Sequence, residues 1–258
     1  MRRAATSDHI IGHMVESIGL AIPCADPFHH LRLERVFPPE TYAGMIETMP
    51  AGSAFRAMSG RARQVRASDG VPTRTKMHLF PEFIGDLPLS ERKAWSAVGI
   101  ALCSDAVRTA FMQRLAPGLE KRFGADHAGV RTYAVPMLTR DVPGYHIGIH
   151  PDTPRKVITV QIYLPRDESI RHAGTLFHRR LPNGEYEKAG QVPFLPNSGY
   201  AFAVGDDTYH SLDPLGPEVT TRDSILLTYF IDHTPWQVVK NRANRVGNLF
   251  HYKMRRRD

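Results

Sequence analysis

The sequence predicts an α+β, mainly β fold, with a helix-rich N-terminal half packed on a β-rich C-terminal half. Two observations lead to this. Before about residue 130, apolar residues recur at helical spacing, as in Val107, Phe111, Leu115, Leu119 and Phe123. After it come short apolar or alternating runs broken by Pro, Gly, Asn and Asp, the pattern of a sandwich or barrel rather than of a parallel sheet with crossover helices. A single domain is expected over residues 1–258, with a helix-rich N-terminal region (residues 1–129), a β core (residues 130–235) and a basic tail (residues 236–258).

The elements follow in order. Residues 1–25 are weakly patterned and suggest a loosely docked helix. FHHLRLERVF (28–37) alternates like a strand, and residues 38–49 open with Pro and acidic residues like a short helix. Residues 51–80, rich in Gly, Ser, Thr and Arg, read as loop. Ser90 is a plausible N-cap for a helix through ERKAWSAVGIALCSD. The next helical run should kink or split at Pro117 and stop at Gly124. Strands are expected in VRTYAVPML, GYHIGIH, KVITVQIYLP, GTLFHRRL, GYAFAVG, TYHSL and SILLTYFID.

Bulk properties narrow the function. At 258 residues, 42% hydrophobic and 23% charged, the chain can bury a core without disulfides. Its two cysteines, Cys24 and Cys103, form no CxxC pair and read as buried reduced thiols, not a zinc or redox site. No apolar run is long enough to span a bilayer and no secretory leader is visible, so a cytoplasmic protein without a membrane partner is expected. The net charge of +7 favours anionic partners. Arg56, Arg61, Arg63, Arg66, Arg74 and Lys76 cluster against Asp69 alone, and read either as a solvated loop or as a segment near an anionic substrate. No aromatic residues interleave with these bases and no nucleic-acid-binding motif appears, which argues against nucleic acid as the partner. His-Glu-x-x-His, Gly-x-Ser-x-Gly and P-loop patterns are absent.

Three groups of residues carry chemistry. His150 and Asp152 are two apart, so on a strand they share a face and could share one ion. His210, after a Gly-Asp-Asp turn, would complete two histidines and a carboxylate, a facial triad suited to Fe(II) that leaves positions open for other ligands. Arg222 opens an apolar strand with Ser224 on the same face; a guanidinium pointing into a β core needs an anion, and a carboxylate fits it bidentately.

In order and spacing these residues resemble the Fe(II)- and 2-oxoglutarate-dependent oxygenases, in particular the prolyl-hydroxylase-like bacterial branch. The resemblance covers about residues 130–232, and more loosely PFHHLRLERVFPPETYAGMIETMP. It implies a double-stranded β-helix (a jelly roll, cupin-like), with His150, Asp152 and His210 as the catalytic metal ligands and Fe(II), 2-oxoglutarate and O2 as cofactor and co-substrates. It implies that Arg222, Ser224 and Tyr163 hold the far carboxylate of 2-oxoglutarate, with Gln161 on the same inward face. Tyr133, Arg140, Gln161 and Lys156 are available for the near carboxylate. A carboxylate at Asp152, where related halogenases have a small residue, implies hydroxylation or another oxidation with release of succinate and CO2.

The substrate is less legible. The basic segment suggests a small anionic or zwitterionic metabolite, such as an amino-acid derivative or a natural-product intermediate, with His146, Arg140, Tyr133, Arg61 and Arg66 as candidate contacts. Alternatives are a hydroxylase of a protein or nucleic-acid residue, or a non-catalytic jelly-roll binding protein. The sequence is compatible with a monomer or a homodimer.

Overall fold

The structure, a computed structural model, describes residues 6–58 and 64–254. Its first helix, α1 (Ser7–Leu20), is capped by the Thr6 side chain and buries Ile10, Met14 and Ile18 at four-residue spacing. It is therefore firmly docked, not loosely as its weak pattern suggests. Strands β1 (Ile22–Cys24) and β2 (His30–Glu34) follow, then α2 (Pro39–Glu47), which has Pro at its first position. Segment 51–80 is more than loop: β3 (Arg56–Ala57) and β4 (Arg74–His78) form an antiparallel pair. Polar inward positions hide it from a search for apolar alternation.

Helices α3 (Pro81–Ile84), α4 (Leu89–Leu102), α5 (Asp105–Arg114) and α6 (Ala116–Phe123) complete the N-terminal half. Pro88, not Ser90, occupies the cap of α4, so Ser90 lies in its first turn. Pro117 sits in the first turn of α6, where its missing N–H costs no helical bond, and the long run splits at Leu115. Gly124 ends α6 at φ 73°, a backbone region that glycine enters readily. Both cysteines are free, and Cys103 is exposed, contrary to the expected burial.

The C-terminal half comprises β5 (Thr132–Asp141), β6 (Ile147–His150), β7 (Lys156–Tyr163), β8 (Thr175–Arg180), β9 (Tyr186–Val192), β10 (Ser198–Ala203), β11 (Tyr209–Leu212) and β12 (Arg222–Ile231). Strand β9 is largely exposed and polar, which hides it in the sequence. These eight strands are shared between an eight-stranded sheet (β1-β2-β10-β7-β12-β5-β4-β3) and a four-stranded sheet (β6-β11-β8-β9), the chain changing sheet at each step except between β8 and β9. That winding is a double-stranded β-helix, widened at both edges of its large sheet by strands from the N-terminal half. The segment expected as a basic tail is helical as far as Met254, forming α7 (Pro235–Met254).

Strand alternation positions the site. Ile158, Val160 and Ile162 of β7, with Ile225, Leu227 and Tyr229 of β12, join the main core together with Met14, Val98, Leu102 and Phe111 of the helices. Cross-strand pairs place Ser224 beside Tyr163, Leu226 beside Gln161 and Thr228 beside Thr159, so these side chains take the opposite face, toward the small sheet. Among the described residues, no helix is long and apolar enough to cross a membrane.

Candidate metal and co-substrate site

Three elements bring His150, Asp152 and His210 together. His150 ends β6 and lies directly opposite His210 of β11, a register that sets the two rings 4.5 Å apart by centroid. The chain then turns through Pro151, and Asp152 approaches from the start of the loop to β7. One ligand atom from each residue lies within 4.8 Å of the other two.

The hydrogen bonds around the set leave the right atoms free. His150 Nδ1 donates to Gly148 O at 2.8 Å and His210 Nδ1 to Thr208 O at 3.0 Å, so each ring presents the lone pair of Nε2. Burial, with repulsion from His150, pushes the His210 imidazole down to about 4, outweighing the attraction of Asp152. It is neutral at pH 7, as a metal ligand must be. Asp152 accepts from Lys156 Nζ at 2.5 Å and from Thr159 Oγ1 at 2.6 Å. Burial alone would push its carboxyl up, but Lys156, His210 and these hydrogen bonds together hold it below the usual range. Two imidazoles and one carboxylate are a donor set that fits Fe(II).

These residues line a cavity between the sheets that runs past Thr159, Gln161, Thr175 and Tyr200 to Arg74 and Arg222. One end thus carries a metal-binding donor set and the other two guanidinium groups. A polar chain crosses the cavity wall. Tyr200 donates to Gln161 Oε1 at 2.7 Å, and Gln161 Nε2 donates to Ser224 Oγ at 2.9 Å. Ser224 Oγ also meets Thr139 Oγ1 at 2.9 Å.

The sequence matches no protein-family model and no curated protein. Among solved structures, a prolyl hydroxylase from Trichoplax adhaerens in complex with a hypoxia inducible factor oxygen degradation domain peptide aligns at TM-score 0.52 and 13% identity, over 86% of this chain and 89% of that one. Prolyl 4-hydroxylases from Phytophthora capsici align at TM-score 0.51 and 12% identity, over 90% of this chain and 68% of that one. The chain has the prolyl-hydroxylase fold.

Within that fold, the residues singled out from the sequence separate into groups. His150, Asp152, His210, Gln161 and Arg222 all face the one cavity. Tyr163 and Ser224 lie behind its wall, both fully buried. The Tyr163 hydroxyl bonds to Thr175 Oγ1 at 2.9 Å, while its ring lies 5.4 Å from the Arg222 guanidinium carbon. Tyr200, from the neighbouring strand, lines the cavity with its hydroxyl engaged by Gln161. The expected substrate contacts lie elsewhere. Arg140 is on the outer face, bonded to Asp223 at 2.7 and 3.1 Å. Tyr133 packs against Phe80 and under Arg242 of α7. His146 is exposed and does not line the cavity. Arg66 is paired with Asp69 at 2.8 Å, and Arg61 lies outside the described residues.

Arg74 and Tyr200 are cavity residues that sequence reasoning misses. Arg74 reads in the sequence as one base of a loop; only the pairing of β4 with β5 turns it inward. The expectation of a free anion site at Arg222 is also partly corrected. Its guanidinium already donates to Asp141 Oδ2 at 2.9 Å and to Ala173 O at 2.7 Å.

Proposed function

We propose that this protein is an Fe(II)- and 2-oxoglutarate-dependent oxygenase that hydroxylates a small anionic or zwitterionic metabolite and releases succinate and CO2. The carrying observation is the meeting of His150, Asp152 and His210 within 4.8 Å at one end of a cavity whose other end is cationic. Bound iron would activate O2 for decarboxylation of 2-oxoglutarate and oxidation of the substrate.

The chain's own residues set up that chemistry. His150 and His210 each present Nε2 because their other ring nitrogen is occupied by a backbone carbonyl. Asp152 stays ionised and oriented by Thr159 and Lys156. Buried Leu212 and half-buried Ile147 and Leu226 contribute apolar wall beside the ligands, which limits water there. The cationic end offers a partner for a carboxylate that must leave water on binding. A small substrate is supported by placement of the ligand set between two sheets, and an anionic one by Lys76 of β4, which has no ion-pair partner among the described residues.

Anaerobic addition of Fe(II) and 2-oxoglutarate should produce a weak visible charge-transfer band. With air and a substrate from a metabolite panel, succinate should form, and Asp152→Ala should abolish both. A wild-type protein with neither band nor succinate would refute the reading.

A further inference from the structure

Arg74, Asp141 and Arg222 stand side by side on three adjacent strands. Arg74 of β4 pairs in register with Asp141 of β5, which pairs in register with Arg222 of β12. Side chains at one level of neighbouring strands share a face, so all three point toward the space between the sheets. Arg74 donates Nε to Asp141 Oδ1 at 2.5 Å and Nη2 to Oδ2 at 2.7 Å. Arg222 donates Nη1 to the same Oδ2 at 2.9 Å. The three side chains are 15%, 0% and 1% exposed respectively.

The charges do not balance. One carboxylate serves two guanidiniums, leaving a surplus of one positive charge at the end of the cavity away from the metal ligands. A nearly buried net charge is costly unless a partner arrives. Arg222 alone would not provide that surplus, because Asp141 already neutralises it. Donors also remain. Each guanidinium has five N–H groups, of which Asp141 and Ala173 take two from each. The Tyr145 ring, 4.0 Å from the Arg74 guanidinium carbon, holds that side chain in place.

We propose that Arg74, a residue outside the sequence motif, is a positioning residue that supplies the net charge by which this end of the cavity takes the far carboxylate of the co-substrate. Asp141 orients both guanidiniums, and the incoming carboxylate brings the cluster to neutrality. This rests on the 2-oxoglutarate reading above.

The test is anaerobic titration of the Fe(II)-loaded protein, following the charge-transfer band, with 2-oxoglutarate and with pyruvate. Pyruvate has the same 2-oxo acid end and no far carboxylate. Arg74→Gln should weaken 2-oxoglutarate binding by about tenfold or more and leave pyruvate binding unchanged, which also shows that the site is folded. The double variant Arg74→Gln/Asp141→Asn restores the surplus charge on Arg222 and should regain most of the lost affinity; a merely structural role for Arg74 predicts further loss. Wild-type affinity in Arg74→Gln, or a double variant no better than the single one, would overturn the inference. A wild-type protein giving no band with either acid would overturn the co-substrate reading itself, and this inference with it.

Discussion

Thr159 of β7 donates its hydroxyl to Asp152 Oδ2 at 2.6 Å and is itself 2% exposed. The bond ties the one carboxylate of the ligand set to the middle of the large sheet. It also leaves the orientation of that carboxylate dependent on a side chain that touches no metal ligand atom other than Asp152's own. Replacing Thr159 by the near-isosteric Val removes the bond and keeps the packing. Fe(II) affinity should fall about 10–100-fold, the usual cost of losing a group that orients a ligand. Competition with a colorimetric chelator measures it, and unchanged affinity would show that Lys156 alone suffices.

Arg122 of α6 reaches the same loop from the other side. Its guanidinium donates to the carbonyls of Lys156 at 2.5 Å and Val204 at 2.7 Å, and also to that of Pro154. It thereby fixes the turn between Asp152 and β7. Arg122→Met keeps much of the side-chain volume but no donor. We expect roughly a tenfold loss of Fe(II) affinity, with faster amide exchange confined to residues 152–157. Exchange unchanged in that segment would refute the clamp.

His78 of β4 gives a pH prediction independent of the metal ligands. It is 6% exposed and lies 4.9 Å from Phe83 and 6.2 Å from Phe80 by ring centroid. Burial first, then repulsion from Lys76 and Arg245, pushes its imidazole down to about 3 against a smaller opposing pull from Glu82. The unfolded chain takes up this proton near pH 6.5 and the folded chain does not. Its contribution to stability is therefore complete above pH 6.5 and is lost progressively as pH falls toward 3, at about 1.4 kcal/mol per pH unit at most. Urea unfolding of wild type and His78→Phe at pH 7, 5 and 4 tests this. The variant should lose less stability on acidification, and equal slopes would exclude His78 as the cause.

Two glycines should respond oppositely to alanine. A Cβ at Gly199 would lie 2.0 Å from the carbonyl oxygen of Gln161, across the β10–β7 ladder. Since strand backbone cannot give way cheaply, Gly199→Ala should cost about 3 kcal/mol and disturb the Gln161 side chain on the cavity wall. A Cβ at Gly44, inside α2, would meet nothing within 4 Å. Gly44→Ala should stabilise by about 0.5–1 kcal/mol. Chemical denaturation of the two variants tests both signs.

The legible regions of this molecule are those governed by short-range spacing. His150 and Asp152 stand out by their two-residue spacing across a strand end and one turn, and Arg222 and Ser224 by their alternation onto one strand face. Helix α6 is readable from Pro117 and Gly124, whose backbone limits act locally. What escapes depends on partners distant in sequence. Arg74 is in a stretch without apolar alternation, and its inward direction comes only from β5, more than sixty residues later. Tyr163 is expected as a co-substrate contact only through the family resemblance; Thr175 and Val192, from other strands, take its hydroxyl. Helix α7 reads as a basic tail because its charges are partnered remotely, Arg245 with Glu82 and Arg242 with Asp232, while Trp236, Val239, Val246 and Phe250 are exposed.

The pairing of His150 with His210 has a consequence for folding. Side chains alternate along a strand, so sliding β6 past β11 by one residue would turn one imidazole away from the other. The observed alignment is the one that sets His150 directly opposite His210. Bound metal would then act as a proofreader of the ladder: it stabilises the correctly aligned molecule by mass action and gives nothing to its slipped neighbours. Iron retention in this protein would thus report the fidelity of strand assembly as well as the integrity of three side chains.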